Sequence, residues 1–236
     1  MILKSYIVEQ TIETLNNYRA TLIYGENNGV KSDIKEKIKH ENKESEIITF
    51  FESDILRSNL LYENVINQSL FSEKKIIFIQ EASDKIFDKI KESLEEENID
   101  IKIYLFSGNL EKKTKIRSYF EKGKEVAIFA CYEDNERTLI TYIHSELKGF
   151  KGVTGEIVNL IIRNSDMDRR VIKNELDKIK IFFKDKQIDK KYILDILNIK
   201  KDSGFNEIRD RALMGEKMTL NKLLSETDIL NEEVFF

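Results

Sequence analysis

In the stretch "TLIYGENNGVKSDI", residues 21 to 34, an apolar run meets a glycine turn and then the start of a helix. Gly25, Lys31 and Ser32 stand there at the spacing of a phosphate-holding loop. Such a loop reads G-x-x-x-x-G-K-[ST]: the second glycine lets the backbone curl round the phosphates, the lysine reaches them and the hydroxyl meets magnesium. Here the second glycine position holds Val30, and the nearest glycine, Gly29, is one residue early. A β-branched residue resists the positive φ that glycine accepts. ATP hydrolysis in this frame also needs a carboxylate at the tip of a central strand to hold magnesium. The matching strand reads "IIFIQEAS", with Gln80 where an aspartate is expected and Glu81 after it. Two independent defects, at Val30 and Gln80, predict that the frame Gly25, Gly29, Val30, Lys31 and Ser32 binds no nucleotide and turns none over. A turn that never held a phosphate predicts the same inactivity, so the residues alone leave both histories open.

Other chemistry has little to build on. His40 and His144 lie in charged helical stretches with no cysteine or paired carboxylates at metal-ligand spacing, and no G-x-S-x-G motif is present. We expect no metal and no cofactor. Cys131, the single cysteine, sits in the apolar run "EVAIFACYE" and reads as a small buried hydrophobe. No disulfide is possible within the chain.

The elements that must position these residues follow from apolar patterning. The 236 residues are 41% hydrophobic, enough for one large domain or two small ones. Lys+Arg number 39 against 43 Asp+Glu, a formal net charge of -4 with no long block of one sign, which argues against a general nucleic-acid binder. The N-terminus lacks a signal peptide's apolar stretch, and no run approaches the roughly 20 apolar residues of a membrane span, so we expect a cytoplasmic protein with no membrane contact. Proline is absent. Abundant Lys, Ile and Asn attribute this to AT-biased coding rather than to structure.

Five short β-branched runs, at 20 to 25, 45 to 51, 74 to 80, 101 to 108 and 125 to 132, alternate with charged helical segments around 31 to 42, 54 to 68, 84 to 97 and 111 to 122. This alternation predicts an α/β domain over 1–133, with a parallel sheet and helices on both faces. The loop after the first strand lies where such sheets place their sites. From 134 to 200 the apolar spacing is helical and predicts a small bundle. From 201 another helical pair begins, and the apolar "NEEVFF" at 231 to 236 suggests a third domain cut short.

One helix raises its own question. On a wheel of about 100° per residue, Leu56 and Leu60 fall on one side of "DILRSNLLYENVINQSLF" and Leu61 and Val65 nearly opposite. One face serves the core. The other, with Leu70 and Phe71 beyond the helix, forms an apolar surface that asks for a partner; covering the sheet edge is the alternative for Leu70 and Phe71.

In order and spacing, "LIYGENNGVKSDI", "NQSLFSEKKIIFIQEA", "IYLFSGNLEKKTKIRSYFEK" and "VAIFACYEDNERTLITYIHSEL" resemble the delta subunit of the bacterial DNA polymerase III clamp loader, over about residues 18 to 225. The resemblance implies an AAA+-like core, a three-helix lid at 134–200 and a helical collar beginning at 201–236. It implies a non-catalytic subunit that binds the ring-shaped sliding clamp (the beta subunit) and opens one interface for loading on primed DNA. Further partners are the gamma/tau and delta prime loader subunits, with DNA met inside the complex and bound weakly or not at all by this chain alone. The clamp-binding element maps to Ser69, Leu70 and Phe71. The helix from about Ile55 to Gln68 lies against the clamp, which accounts for exposed Leu61 and Val65. Family members carry a complete collar, so a chain ending at Phe236 is expected to assemble poorly. An active P-loop NTPase, or an ATP-binding sister subunit of the loader, is the alternative, and it lacks its glycine and its strand-tip acid here.

Overall fold

The five apolar runs of the first half pair side by side into one parallel sheet. In the computed structural model, which describes residues 1–67, 74–96, 100–197 and 205–226, the strands are β1 (Ala20–Tyr24), β2 (Glu46–Phe51), β3 (Lys75–Gln80), β4 (Ile101–Phe106) and β5 (Val126–Ala130). Their order is β2-β3-β4-β1-β5, with Ala20 in register with Ile103 on one side and Val126 on the other. Parallel strands need a crossover between them, and the helices of those crossovers keep both faces dry.

Alternate strand residues divide accordingly. Ile23, Ile76, Phe78, Tyr104, Phe106 and Phe129 join one core, closed by α1 (Ser5–Gln10), a 3-10 turn at Ile12–Asn17 and α2 (Asn28–Glu41). Leu22, Ile77, Ile79, Ile103, Leu105 and Ile128 join the other, closed by α3 (Glu52–Arg57), α4 (Leu60–Ile66), α5 (Phe87–Glu95) and α6 (Lys115–Lys122). The α/β class expected from the alternation is the class observed.

The segment read as one helix from 55 to 68 is two. Ser58 is extended, with φ -148 and ψ 173, and its hydroxyl donates back to the Asp54 carbonyl oxygen at 2.7 Å. Serine and asparagine side chains compete with the helix for backbone partners, so the pair Ser58-Asn59 marks the break. Lys89 on α5 completes the end of α3: its Nζ donates to the carbonyl oxygens of Ile55 and Ser58, each at 2.7 Å. The break corrects the expected exposure of Leu61 and Val65. Each is 1% exposed and packs with Ile55 beneath the sheet's helices, while Leu56, Leu60 and Ile66 are the exposed ones. A wheel finds two opposed apolar faces but does not say which faces the sheet.

Contacts divide the chain into two units, Met1–Asp134 and Asn135–Phe236. The second has a core of its own. Asn135 starts it, its Oδ1 accepting from the Thr138 N–H at 3.0 Å to cap α7 (Glu136–Glu146). Then come α8 (Gly155–Asn164), α9 (Arg169–Phe182) and α10 (Lys190–Ile196), which bury Leu139, Ile143, Ile161, Leu176, Ile179 and Ile193 together. Among the described residues of 134–200 there are four helices, where the resemblance implies a three-helix lid. Beyond them α11 (Phe205–Leu213) and α12 (Lys217–Glu226) bury Ile208 and Leu223 and expose Leu213, Met214 and Met218.

The inward turn of Leu61 has a measurable consequence. Leu61→Ala is expected to cost about 2–5 kcal/mol of stability, and Leu60→Ala no more than about 0.5 kcal/mol. Urea midpoints of the two variants are the measurement, and equal midpoints would return Leu61 to the surface.

Candidate functional site

Only Gly25, Glu26 and Asn27 separate the end of β1 from the first residue of α2. Gly25 has φ +127, and a Cβ there would lie 2.3 Å from the Cys131 carbonyl oxygen. Glycine is therefore required both for its φ and for the close approach of the neighbouring chain. Asn27 caps α2: its Oδ1 accepts from the Val30 N–H at 3.0 Å, and its Nδ2 donates to the Tyr132 carbonyl oxygen at 3.1 Å and to Asp134 Oδ2 at 2.7 Å. Val30 is already helical and only 3% exposed, packed with Ile34 and Ile38. Neither Gly29 nor Val30 has a positive φ. The expected obstacle, a valine forced against its preferred backbone, is thus not the one present. The helix starts at Asn28, and its first turn is capped by Asn27.

Lys31 is turned inward. Its Nζ donates to the carbonyl oxygen of Gly25 at 2.8 Å and of Ser107 at 3.0 Å, so two of its three donors are committed to backbone. Burial holds its ammonium below the ordinary lysine value, and nearby Cys131 acts in the opposite sense. The network continues across the sheet, the Ser107 hydroxyl donating to the Ala82 carbonyl oxygen at 2.6 Å. Lys31 therefore ties together the carboxyl ends of β1 and β4, and through Ser107 that of β3. Ser32 is exposed.

At the tip of β3, Gln80 is half-buried, and Glu81 is exposed with φ +60. Near this tip Glu52 is engaged, its Oε1 accepting from the Ser83 N–H at 3.1 Å and from the Ser83 hydroxyl. This end of the sheet thus presents a capped helix, a lysine bonded to two backbone carbonyl oxygens, and an amide at the last position of β3 with an exposed glutamate after it. His40 and His144 are exposed and Cys131 is buried. Among the described residues no three His, Cys, Asp or Glu side chains gather as a metal would require. No helix among them is long and apolar enough to cross a membrane.

Ser69, Leu70 and Phe71 lie outside the described residues. On one side of them α4 ends at Ile66, followed by Asn67; on the other Lys74 leads into β3. The exposed apolar side chains nearest in sequence are Ile66 and Leu60, with Leu56 on α3, in place of the Leu61 and Val65 named from the wheel. The wheel separates the two sets correctly, and what it leaves open is which of them the sheet covers.

No protein-family model matches the chain. A curated relative, the "Probable DNA polymerase III subunit delta" of Rickettsia prowazekii (strain Madrid E), is 22% identical over 218 residues, or 91% of this chain. The chain spans 66% of that relative's length. Among solved structures, the DNA clamp loader delta protein of Bacillus subtilis superposes with a TM-score of 0.67 at 11% identity, over 95% of this chain and 73% of that one. At that identity the likeness is one of fold. The chain is thus similar in sequence to a DNA polymerase III subunit delta and in fold to a clamp loader delta protein.

Proposed function

We propose that this chain acts as a clamp-loader delta subunit in the cytoplasm: it binds the sliding clamp, opens one interface of the ring for loading on primed DNA, and does not hydrolyse ATP. The observation that carries the non-catalytic part is the commitment of Lys31 Nζ to the Gly25 and Ser107 carbonyl oxygens. An amine so held serves the sheet rather than a phosphate. The loader role is supported by the relatedness to a delta subunit and the shared fold. Leu70 and Phe71, with Ser69 beside them, enter an apolar pocket on the clamp. Leu61 and Val65 contribute from beneath by holding α4 on the core, and the exposed Leu56, Leu60 and Ile66 extend the contact. Residues 1–133 form the clamp-binding domain, 134–200 the lid and 201–236 part of a collar that meets gamma/tau and delta prime. DNA is met within the complex.

The anchors are testable apart from the fold. Burying each of Leu70 and Phe71 on the clamp is worth about 1.5–3 kcal/mol, so replacing both with Ala is expected to weaken clamp binding by about a thousandfold. The urea midpoint should barely move. A large fall in the midpoint with clamp affinity retained would instead place the pair in the core.

For the turn, calorimetry with ATP and magnesium is expected to give no micromolar binding. Lys31→Ala is expected to lower stability by about 1–3 kcal/mol, because two carbonyl oxygens lose their donor. Micromolar ATP binding that disappears in Lys31→Ala, with an unchanged midpoint, would assign the lysine to phosphate.

A further inference from the structure

The charge of the whole chain and the charge around α6 have opposite signs. The chain carries -4, yet from Glu111 to Glu125 six cations, Lys112, Lys113, Lys115, Arg117, Lys122 and Lys124, stand against three acids. Lys113 is paired with Glu111 and Arg117 with Glu121, each at 2.8 Å. Lys112, Lys115, Lys122 and Lys124 are exposed, and among the described residues their ammonium groups meet no acceptor. Ile116 and Phe120 root α6 in the core, so the opposite stripe of Lys115, Ser118, Tyr119 and Lys122 faces water. Along that stripe runs an open groove of about 510 Å³, which Phe87, the first residue of α5, also lines. The Phe87 and Tyr119 rings meet edge to face, 5.6 Å between centroids, and both are half-buried. Lys115 and Lys122 stand two turns apart, about 10 Å along the helix axis, with Tyr119 between them. Of the acids nearby, Asp84 accepts from the N–H groups of Lys115 and Ile116 at 3.0 and 2.9 Å, Glu95 pairs with Lys91 at 3.8 Å, and Glu125 is exposed.

We propose that this groove is a contact for single-stranded nucleic acid, with phosphates at Lys115 and Lys122 and a base against the Phe87 and Tyr119 rings. The fold makes no use of these two ammonium groups, and exposed cations gathered on one surface attract a polyanion. The rings narrow the class. A strand that alternates phosphates with planar bases satisfies both features, whereas a duplex keeps its base faces stacked on one another and an acidic peptide brings no planar group at each repeat. The contact is independent of sequence, since every base has a π-face, and weak, in the range of about 10⁻⁴–10⁻⁶ M. For the identity of the ligand the inference rests on the reading that DNA is met within the loader. Primed DNA carries single-stranded template beside its duplex, and the groove is the surface assigned to it.

The test is fluorescence anisotropy of a labelled oligo(dT) of about 12 nucleotides, titrated with the 236-residue chain at several salt concentrations. Lys115→Gln/Lys122→Gln is expected to weaken binding about tenfold at low salt. It is also expected to flatten the slope of log affinity against log salt by about 1.4, the share of two phosphates on a single strand. Phe87→Leu/Tyr119→Leu is expected to weaken binding about tenfold with the slope unchanged, since stacking releases no counterions. Should that pair fail to fold, Ser118→Glu sets a carboxylate in the groove while leaving the rings in place, and a tenfold loss is expected again. Lys148→Gln/Lys151→Gln, at exposed lysines of the second unit, is the control and is expected to change affinity less than about twofold. A control loss equal to that of Lys115→Gln/Lys122→Gln overturns the proposal, as does parental affinity in a folded groove variant or no binding by the parent chain. Polyglutamate that competes as well as oligo(dT) overturns it in favour of an acidic peptide. A separate titration with the sliding clamp distinguishes the two readings. Clamp binding without oligo(dT) binding sinks this inference alone; oligo(dT) binding through the groove without clamp binding sinks the delta reading and leaves the groove.

Discussion

A parallel sheet with two apolar faces has to be kept dry on both, and most of the first unit is a consequence of that requirement. Each crossover must lay something apolar on one face or the other. Between β2 and β3 the cover consists of two short helices, α3 and α4, which bring Ile55, Leu61 and Val65 to the core. Helices of this length draw their stability from packing and from donors supplied to their carbonyl ends. Two lysines supply them from elsewhere in the fold, Lys89 from α5 and Lys75 from β3. The apolar residues left outside, Leu56, Leu60 and Ile66, are exposed because the opposite side of the same helices has been committed to the sheet.

The carboxyl end of the sheet is organised by a different economy of donors and acceptors. Gly25, Ser107 and Cys131 bring their carbonyl oxygens close together where β1, β4 and β5 end, and such a gathering of acceptors calls for donors. Lys31 and the N–H of Asn27 provide them. The ammonium thus finds its acceptors in the backbone, and the turn needs only three residues to bring them within reach.

The strands were legible in the sequence, and each observed strand falls within the run that predicted it. Buried parallel strands are short, continuous and β-branched, and that signal is local. The phosphate-loop frame was legible as spacing, with Val30 and Gln80 out of place. Its geometry was not, because the start of α2 is decided by the Asn27 side chain, and an asparagine in a turn has several uses. The break at Ser58 and the burial of Leu61 were missed for a related reason. Periodicity measures how apolar residues are spaced and carries no information about which side the sheet occupies. Lys75 and Lys89 carry no sequence signal of their place, since nothing local distinguishes a lysine that reaches a distant helix end from one that reaches water.

The burial of Val30 bears on what a change at that position would cost. Restoring a glycine at position 30 satisfies the written motif, but it removes a side chain packed with Ile34 and Ile38 and places glycine inside a helix. Asn27 would still cap the helix and Lys31 would still be engaged by Gly25 and Ser107. The substitution that completes the written motif therefore weakens the fold, and it leaves the cap and the lysine's backbone bonds as they were.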